Sequence, residues 1–167
     1  VVLPITFDIS TVGYDAATFN GASFAIVANP SVSGTNNKAS KVGAITNSGK
    51  AFEGINFDLG APIDLTTEKS IKMNFWANAP ITVLMKLEEG ATSTPDVVVN
   101  HTGTGWEEMI FSFTSSSKYS RLTLFVDGPG TKAGTFYFDD VTQIATPLPP
   151  CTAETAQSLL ASNFNLT

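Results

Sequence analysis

Apolar and polar residues alternate with a period of two along most of this chain, and Gly, Asn, Ser and Pro cluster between the alternating runs. Leu3, Ile5 and Phe7 predict a first strand over residues 3–8, with Pro4 marking an edge position. Further strands are predicted at 23–28, 41–46 and 51–59, the last two read as a pair joined at Asn47–Gly49. Residues 29–37 carry too many turn formers to be anything but loop. In the second half, strands are predicted at 70–75, 81–88, 97–100, 107–113, 121–127 and 135–141. Along 81–88 the alternation sets Val83, Met85 and Leu87 against Lys86 and Glu88 on the opposite face. Along 121–127 it sets Leu122, Leu124 and Val126 against Arg121, Phe125 and Asp127. Short connections such as 127–130 favour antiparallel pairing, so the expected fold is all-β, a two-sheet antiparallel β-sandwich. Only 154–161 reads as helix, and it follows the Pro-rich stretch 146–150. The expected organisation is a β-sandwich over 1–145, then a linker and the start of a following module over 146–167.

Composition narrows the partners. A chain of 167 residues with 43% hydrophobic and 14% charged residues suits one domain with one core. A net charge of −6 argues against nucleic acid, whose binders concentrate Lys and Arg against the phosphates. No 18-residue apolar window and no charged-then-apolar leader occur, so neither membrane insertion nor a signal peptide is expected, and the start at Val1 reads as a cut. The single cysteine, Cys151, lies outside the β-rich body, so packing, with or without a metal, must hold the domain together.

The residues 3–8 (LPITFD), 26–30 (IVANP), 40–43 (SKVG), 61–64 (APID), 86–88 (KLE), 106–108 (WEE) and 135–141 (TFYFDDV) occur in an order that resembles jelly-roll carbohydrate-binding modules similar to families four and nine. Such modules accompany secreted laminarinase-type enzymes and surface glycan-binding proteins. The resemblance implies a structural calcium tying the first strand and a nearby loop to the last strand, at Asp8, Asp140 and the backbone carbonyl of Lys41. Without it, Asp8 and Asp140 read as strand-end carboxylates accepting backbone N–H bonds. Plain alternation puts Asp139 and Asp140 on opposite faces.

Sugar recognition needs aromatic faces against the C–H face of a pyranose and amides or charged groups against its hydroxyls. The candidates are Trp76 and Asn78, with Phe52, Lys86, Glu88, Arg121 and Asp127 as further members of an aromatic and polar trough. Trp106 is expected to pack in the interior, and His101 to be an ordinary loop residue. The acidic pairs Glu88-Glu89 and Glu107-Glu108 point to opposite faces, whereas glycoside hydrolysis needs two converging carboxylates. With one histidine there is no His cluster for zinc, and a Ser-His-Asp triad would rest on His101 alone. The expectation is a noncatalytic, monomeric carbohydrate-binding module, secreted or at the cell surface, that targets a linked partner to polysaccharide, first a β-glucan such as laminarin. The alternative is a structural or adhesive β-sandwich without a sugar site, and a less favoured one is a jelly-roll lyase or hydrolase.

Overall fold

The computed structural model describes residues 1–150; the helical pattern at 154–161 and Cys151 lie outside the described residues. Among the described residues there are eleven strands: β1 (Ala17–Phe19), β2 (Ser23–Ala28), β3 (Lys41–Asn47), β4 (Gly54–Asp64), β5 (Ser70–Ala77), β6 (Ile81–Glu89), β7 (Thr92–Ser93), β8 (Val97–His101), β9 (Gly105–Ser112), β10 (Lys118–Val126) and β11 (Gly134–Ile144). They form two antiparallel sheets. The first runs β1-β4-β10-β6-β7 with β8 also on β6, and the second runs β2-β3-β11-β5-β9. The sandwich predicted from alternation is the observed fold.

The inward positions of both sheets supply one core. Ile55, Phe57, Leu122, Leu124, Val83, Met85 and Leu87 come from the first sheet, and Ile45, Ile71, Met73, Phe75, Phe111 and Phe138 from the second. Phe7, Phe24, Phe57 and Phe138 meet in a ring cluster with centroid separations of 5.2 to 6.5 Å, a spacing at which aromatic pairs attract. Gly43 sits on β3 beneath this cluster, where an added Cβ would fall 2.7 Å from the Phe138 ring and 2.8 Å from that of Phe7. The aromatic packing thus demands glycine there.

Three local expectations are corrected. Residues 3–8 are not a strand: their backbone pairs with β11 at a single Ile5–Val141 bridge, because Pro4 offers no N–H and Phe7 takes a left-handed φ of 59°. Ile5 and Phe7 are still buried as predicted. Residues 41–46 and 51–59 are not partners, since β3 and β4 belong to different sheets and the 48–53 connection crosses between them. That crossing is organised by Glu53, whose buried carboxylate accepts Ser48 Oγ–H (2.5 Å) and the N–H groups of Ser48 (2.7 Å), Gly49 (2.9 Å) and Lys50 (2.9 Å). Burial alone would raise its pKa, but these four donors hold it down at about 2.

His101 is the third correction. It closes β8 and is buried edge-on against Phe75 at 5.6 Å. A backbone carbonyl only accepts, so Nε2 carries the proton donated to Phe75 O (2.9 Å), leaving Nδ1 to accept the Gly103 N–H (2.9 Å). The residue is part of the packing.

Candidate functional site

The register of the first sheet sorts its outer face into three rows. The first crosses all five principal strands as Phe19, Gly54, Phe125, Leu84 and Val98. The second is Asn56, Thr123 and Lys86, and the third is Asp58, Arg121 and Glu88. Successive rows stand two residues apart along each strand, so the face changes from apolar to ionic over about 14 Å.

At the apolar end, Phe125 receives the edges of Phe19 and Phe52 at centroid separations of 5.4 and 6.1 Å, and Lys86 Nζ stands 5.8 Å from its ring centre. Gly54 makes this possible, because a Cβ there would fall 2.6 Å from the Phe19 ring. Phe52 is 46% exposed and Val98 54%, both unusual for large apolar side chains. Phe52 also holds a left-handed φ of 53°, which strains a residue with a bulky side chain. Its N–H donates to Gly128 O (2.7 Å), its carbonyl accepts Asn20 Nδ2 (2.7 Å), and the clasped Glu53 follows it directly. The chain thus holds an exposed aromatic ring in one strained, fixed orientation.

The ionic end is paired within itself. Arg121 Nε donates to Asp58 Oδ1 (2.7 Å), Lys86 Nζ lies 3.3 Å from Glu88 Oε1, and Thr123 Oγ1 donates to Glu88 Oε2 (2.6 Å). Arg121 holds the Asp58 carboxyl below its ordinary range, and Asp58 raises that of Arg121. Burial would raise Glu88, but the bonds from Thr123 and Lys86 and the nearby Arg121 charge bring it down. Two cations and two anions leave this end of the face without net charge and rich in directed donors and acceptors.

Of the predicted site residues, the structure brings Phe52, Lys86, Glu88 and Arg121 together on this one face. Asp127 lies at its rim, where its N–H donates to Thr82 O (2.8 Å) and its Oδ2 accepts the Lys132 N–H (2.9 Å), closing the turn after β10. Trp76 and Asn78 do not join them: Trp76 stands on the outer face of the second sheet, which is turned away, and Asn78 lies in the turn just after it. Sequence reasoning missed Phe19, Asn56 and Asp58. The Gly54 that seats Phe19, two residues after Phe52, was the available signal.

The second sheet's outer face carries the in-register row Trp106, Trp76, Tyr137, Ala44, Ala25. Trp106 is 5% exposed, as expected of a buried ring, but it lies beneath the 29–40 loop rather than between the sheets. Its Nε1 donates to Ser31 O (2.7 Å) and Asn29 Oδ1 (3.3 Å). Trp76 is half-buried and meets Tyr137 edge-to-face at 5.3 Å.

The acidic pair departs from plain alternation. A bulge between Asp139 and Thr142, with Asp140 at a left-handed φ of 52°, returns Val141 to the core and brings both carboxylates to the outer side. Asp139 is 1% exposed under the 29–40 loop, accepting Asn36 Nδ2 (2.9 Å) and Ser40 Oγ (3.4 Å). Asp140 instead accepts Asn74 Nδ2 (3.0 Å). Asp8 Oδ1 accepts the Lys41 N–H (2.8 Å). Burial, with the charges of Asp140 and Asp8, pushes the Asp139 pKa up to about 7 against the bonds from Asp140 N–H and Asn36. Asn36 Oδ1 is buried beside it without a hydrogen-bond partner. Among the described residues no three His, Cys, Asp or Glu side chains form a cage by themselves, so a cation here needs amide and carbonyl oxygens as well.

No protein-family model and no curated protein matches the sequence. Solved structures do share the fold, and they are carbohydrate-binding modules or enzymes of which this chain spans only part. An exo-beta-agarase matches with a TM-score of 0.65 at 11% identity, over 88% of this chain and 25% of the agarase. The family 11 carbohydrate-binding module of a Clostridium thermocellum cellulosomal cellulase matches at 0.59 with 13% identity, over 87% of this chain and 96% of that one. The xylan-binding family 22 domain from Paenibacillus barcinonensis matches at 0.53 with 13% identity, over 86% and 94%. At these identities the likeness establishes the sandwich fold, and it does not single out families four and nine.

Proposed function

We propose that this chain is a noncatalytic carbohydrate-binding module of the jelly-roll kind that holds a covalently linked partner against a neutral polysaccharide. The observation that carries this reading is Phe52: an exposed ring fixed in a strained conformation at the head of a face graded from aromatic to hydrogen-bonding. A pyranose stacks on the exposed Phe52 ring through its C–H face, with Phe125 packed perpendicular beneath that ring, and the hydroxyls of the next sugar units meet Asn56, Thr123, Lys86, Glu88 and Arg121. The three rows suit a chain of several sugar units lying across β4, β10 and β6. A β-glucan such as laminarin is the first ligand, and the resemblance of the sequence landmarks to families four and nine supports that choice. The module works as a monomer, secreted or at the cell surface, raising the effective concentration of its partner at the polymer.

A structural calcium belongs to the same proposal. Its ligands are Asp8, the Lys41 carbonyl and Asp140, as the resemblance implied, with Asp139 and the unpartnered Asn36 Oδ1 added because they are the buried oxygens at that spot. A divalent cation relieves the repulsion among the three carboxylates and fastens the N-terminal segment and the 29–40 loop to β11.

The internal pairing of Arg121 with Asp58 and of Lys86 with Glu88 favours the second reading, an adhesive β-sandwich whose charged face is simply satisfied. Isothermal calorimetry against laminarin, mixed-linkage β-glucan, xylan and agarose oligosaccharides separates the two. Saturable binding that Phe52→Ala weakens supports the module, and no heat with any glycan leaves the adhesive reading.

A further inference from the structure

We infer that the outer face of the second sheet carries a separate site for a pyranose, centred on Trp76, so that one domain can hold two glycan chains on opposite sides. Its aromatic pair stands on the opposite sheet from the Phe52 site, and the far end of its cleft, at Lys132, reaches the Asp127 turn at the rim of that face.

Three observations converge there. The first is an aromatic step: Trp76 and Tyr137 are register neighbours, both half-buried, with their rings packed edge-to-face at 5.3 Å. That contact fixes the indole without covering it, in contrast to Trp106, which the 29–40 loop roofs and ties through Nε1. The second is a set of exposed polar groups beside it: Asn78 in the turn just after β5, and Thr135, two residues before Tyr137, with its Oγ1 meeting Thr46 Oγ1 at 2.8 Å. The third is a cleft of about 310 Å³ at the end of the sheet, between the 78–81 turn and residues 132–136, which Asn78 and Thr135 line and the Trp76 and Tyr137 rings do not. Its volume lies at the lower end of the range for small-molecule sites. Lys132 is the one charged residue lining it, and its Nζ is already bonded to Pro80 O (2.8 Å).

An aromatic ring beside amide and hydroxyl groups is complementary to a pyranose. Among the described residues the Lys132 ammonium has no carboxylate partner, so the cleft end of the site keeps one positive charge.

The two tryptophans, Trp76 and Trp106, both lie on this sheet, and the rows of the Phe52 face contain none. Tryptophan emission therefore reports on this site alone. Laminarihexaose, a mixed-linkage β-glucan tetrasaccharide and xylohexaose are titrated into the intact chain, and at least one is expected to give a saturable emission change that persists in Phe52→Ala. Asn78→Ala and Tyr137→Ala keep the reporter and are expected to weaken that response about tenfold. Asn78→Ala, at an exposed position, keeps the test alive if Tyr137→Ala does not fold. Emission unmoved by all three probes up to about 10 mM overturns the inference. So does a response abolished by Phe52→Ala or indifferent to Asn78→Ala. Calorimetric binding with silent tryptophans sinks this site and leaves the Phe52 site standing, whereas an emission change without loss of affinity in Phe52→Ala does the reverse.

Discussion

The outer faces of the two sheets begin from the same pattern and end differently. Both alternate inward apolar with outward mixed residues, and both carry an aromatic row in register across neighbouring strands. On the first sheet the row holds Phe19 and Phe125, the strained and exposed Phe52 packs against Phe125 from the connection before β4, and ordered rows of polar and ionic side chains follow. On the second sheet the 29–40 loop roofs Trp106 and buries Asp139, while the Trp76–Tyr137 pair stays partly accessible. Alternation decides which side chains point out; loops and their anchors decide which of those remain available to a ligand.

The sharpest way to break this contrast is to remove the ring that the first face exposes. Phe52→Ala is expected to lower glycan affinity by about 30-fold or more, the loss of a well-placed aromatic anchor, with little change in melting temperature because the side chain is exposed. Gly54→Ala tests the seat of the same row. A Cβ there overlaps the Phe19 ring and approaches Leu124 O, so denaturant unfolding should show a loss of about 1–3 kcal/mol and weakened glycan binding together.

The anchor beneath Phe52 makes a prediction about pH. Glu53 has a folded pKa of about 2, depressed from 4.5. Its stabilisation is therefore present above the unfolded value and is lost as pH falls from about 4.5 through about 2. Glu53→Gln should flatten the acid limb of a melting-temperature profile over that window, and an unchanged profile would show that the clasp contributes nothing. On the second face, chelator is expected to lower the melting temperature by several degrees, and Asp139→Asn to shrink that shift. An identical melt with and without chelator removes calcium from the account. The smallest effect belongs to Arg121→Lys, which keeps the charge but loses the planar donor geometry and should weaken binding about two- to fivefold, read by calorimetry.

Much of this was legible in the chain, for stated reasons. Period-two alternation depends only on backbone geometry, so the strands, the inward sets and the pairing of Arg121 and Phe125 with one face followed directly. Bulges and crossings were not legible, because they depend on which residues leave the common backbone conformation. Asp140 and Phe52 both adopt left-handed φ values without being glycine. The first reverses the predicted separation of the acidic pair, and the second fixes the most exposed aromatic of the site. Sheet membership was equally hidden: Trp76 and Lys86 look alike as outward strand residues, yet β5 and β6 belong to different sheets.

The most direct test of the central claim is backbone-amide shift mapping with ¹⁵N-labelled protein and a laminarin-derived oligosaccharide, titrated to saturation. The account predicts concentrated shifts along β4, β10 and β6, at Phe52, Asn56, Lys86, Glu88, Arg121 and Thr123. Shifts absent there, or confined to the second sheet, would contradict it.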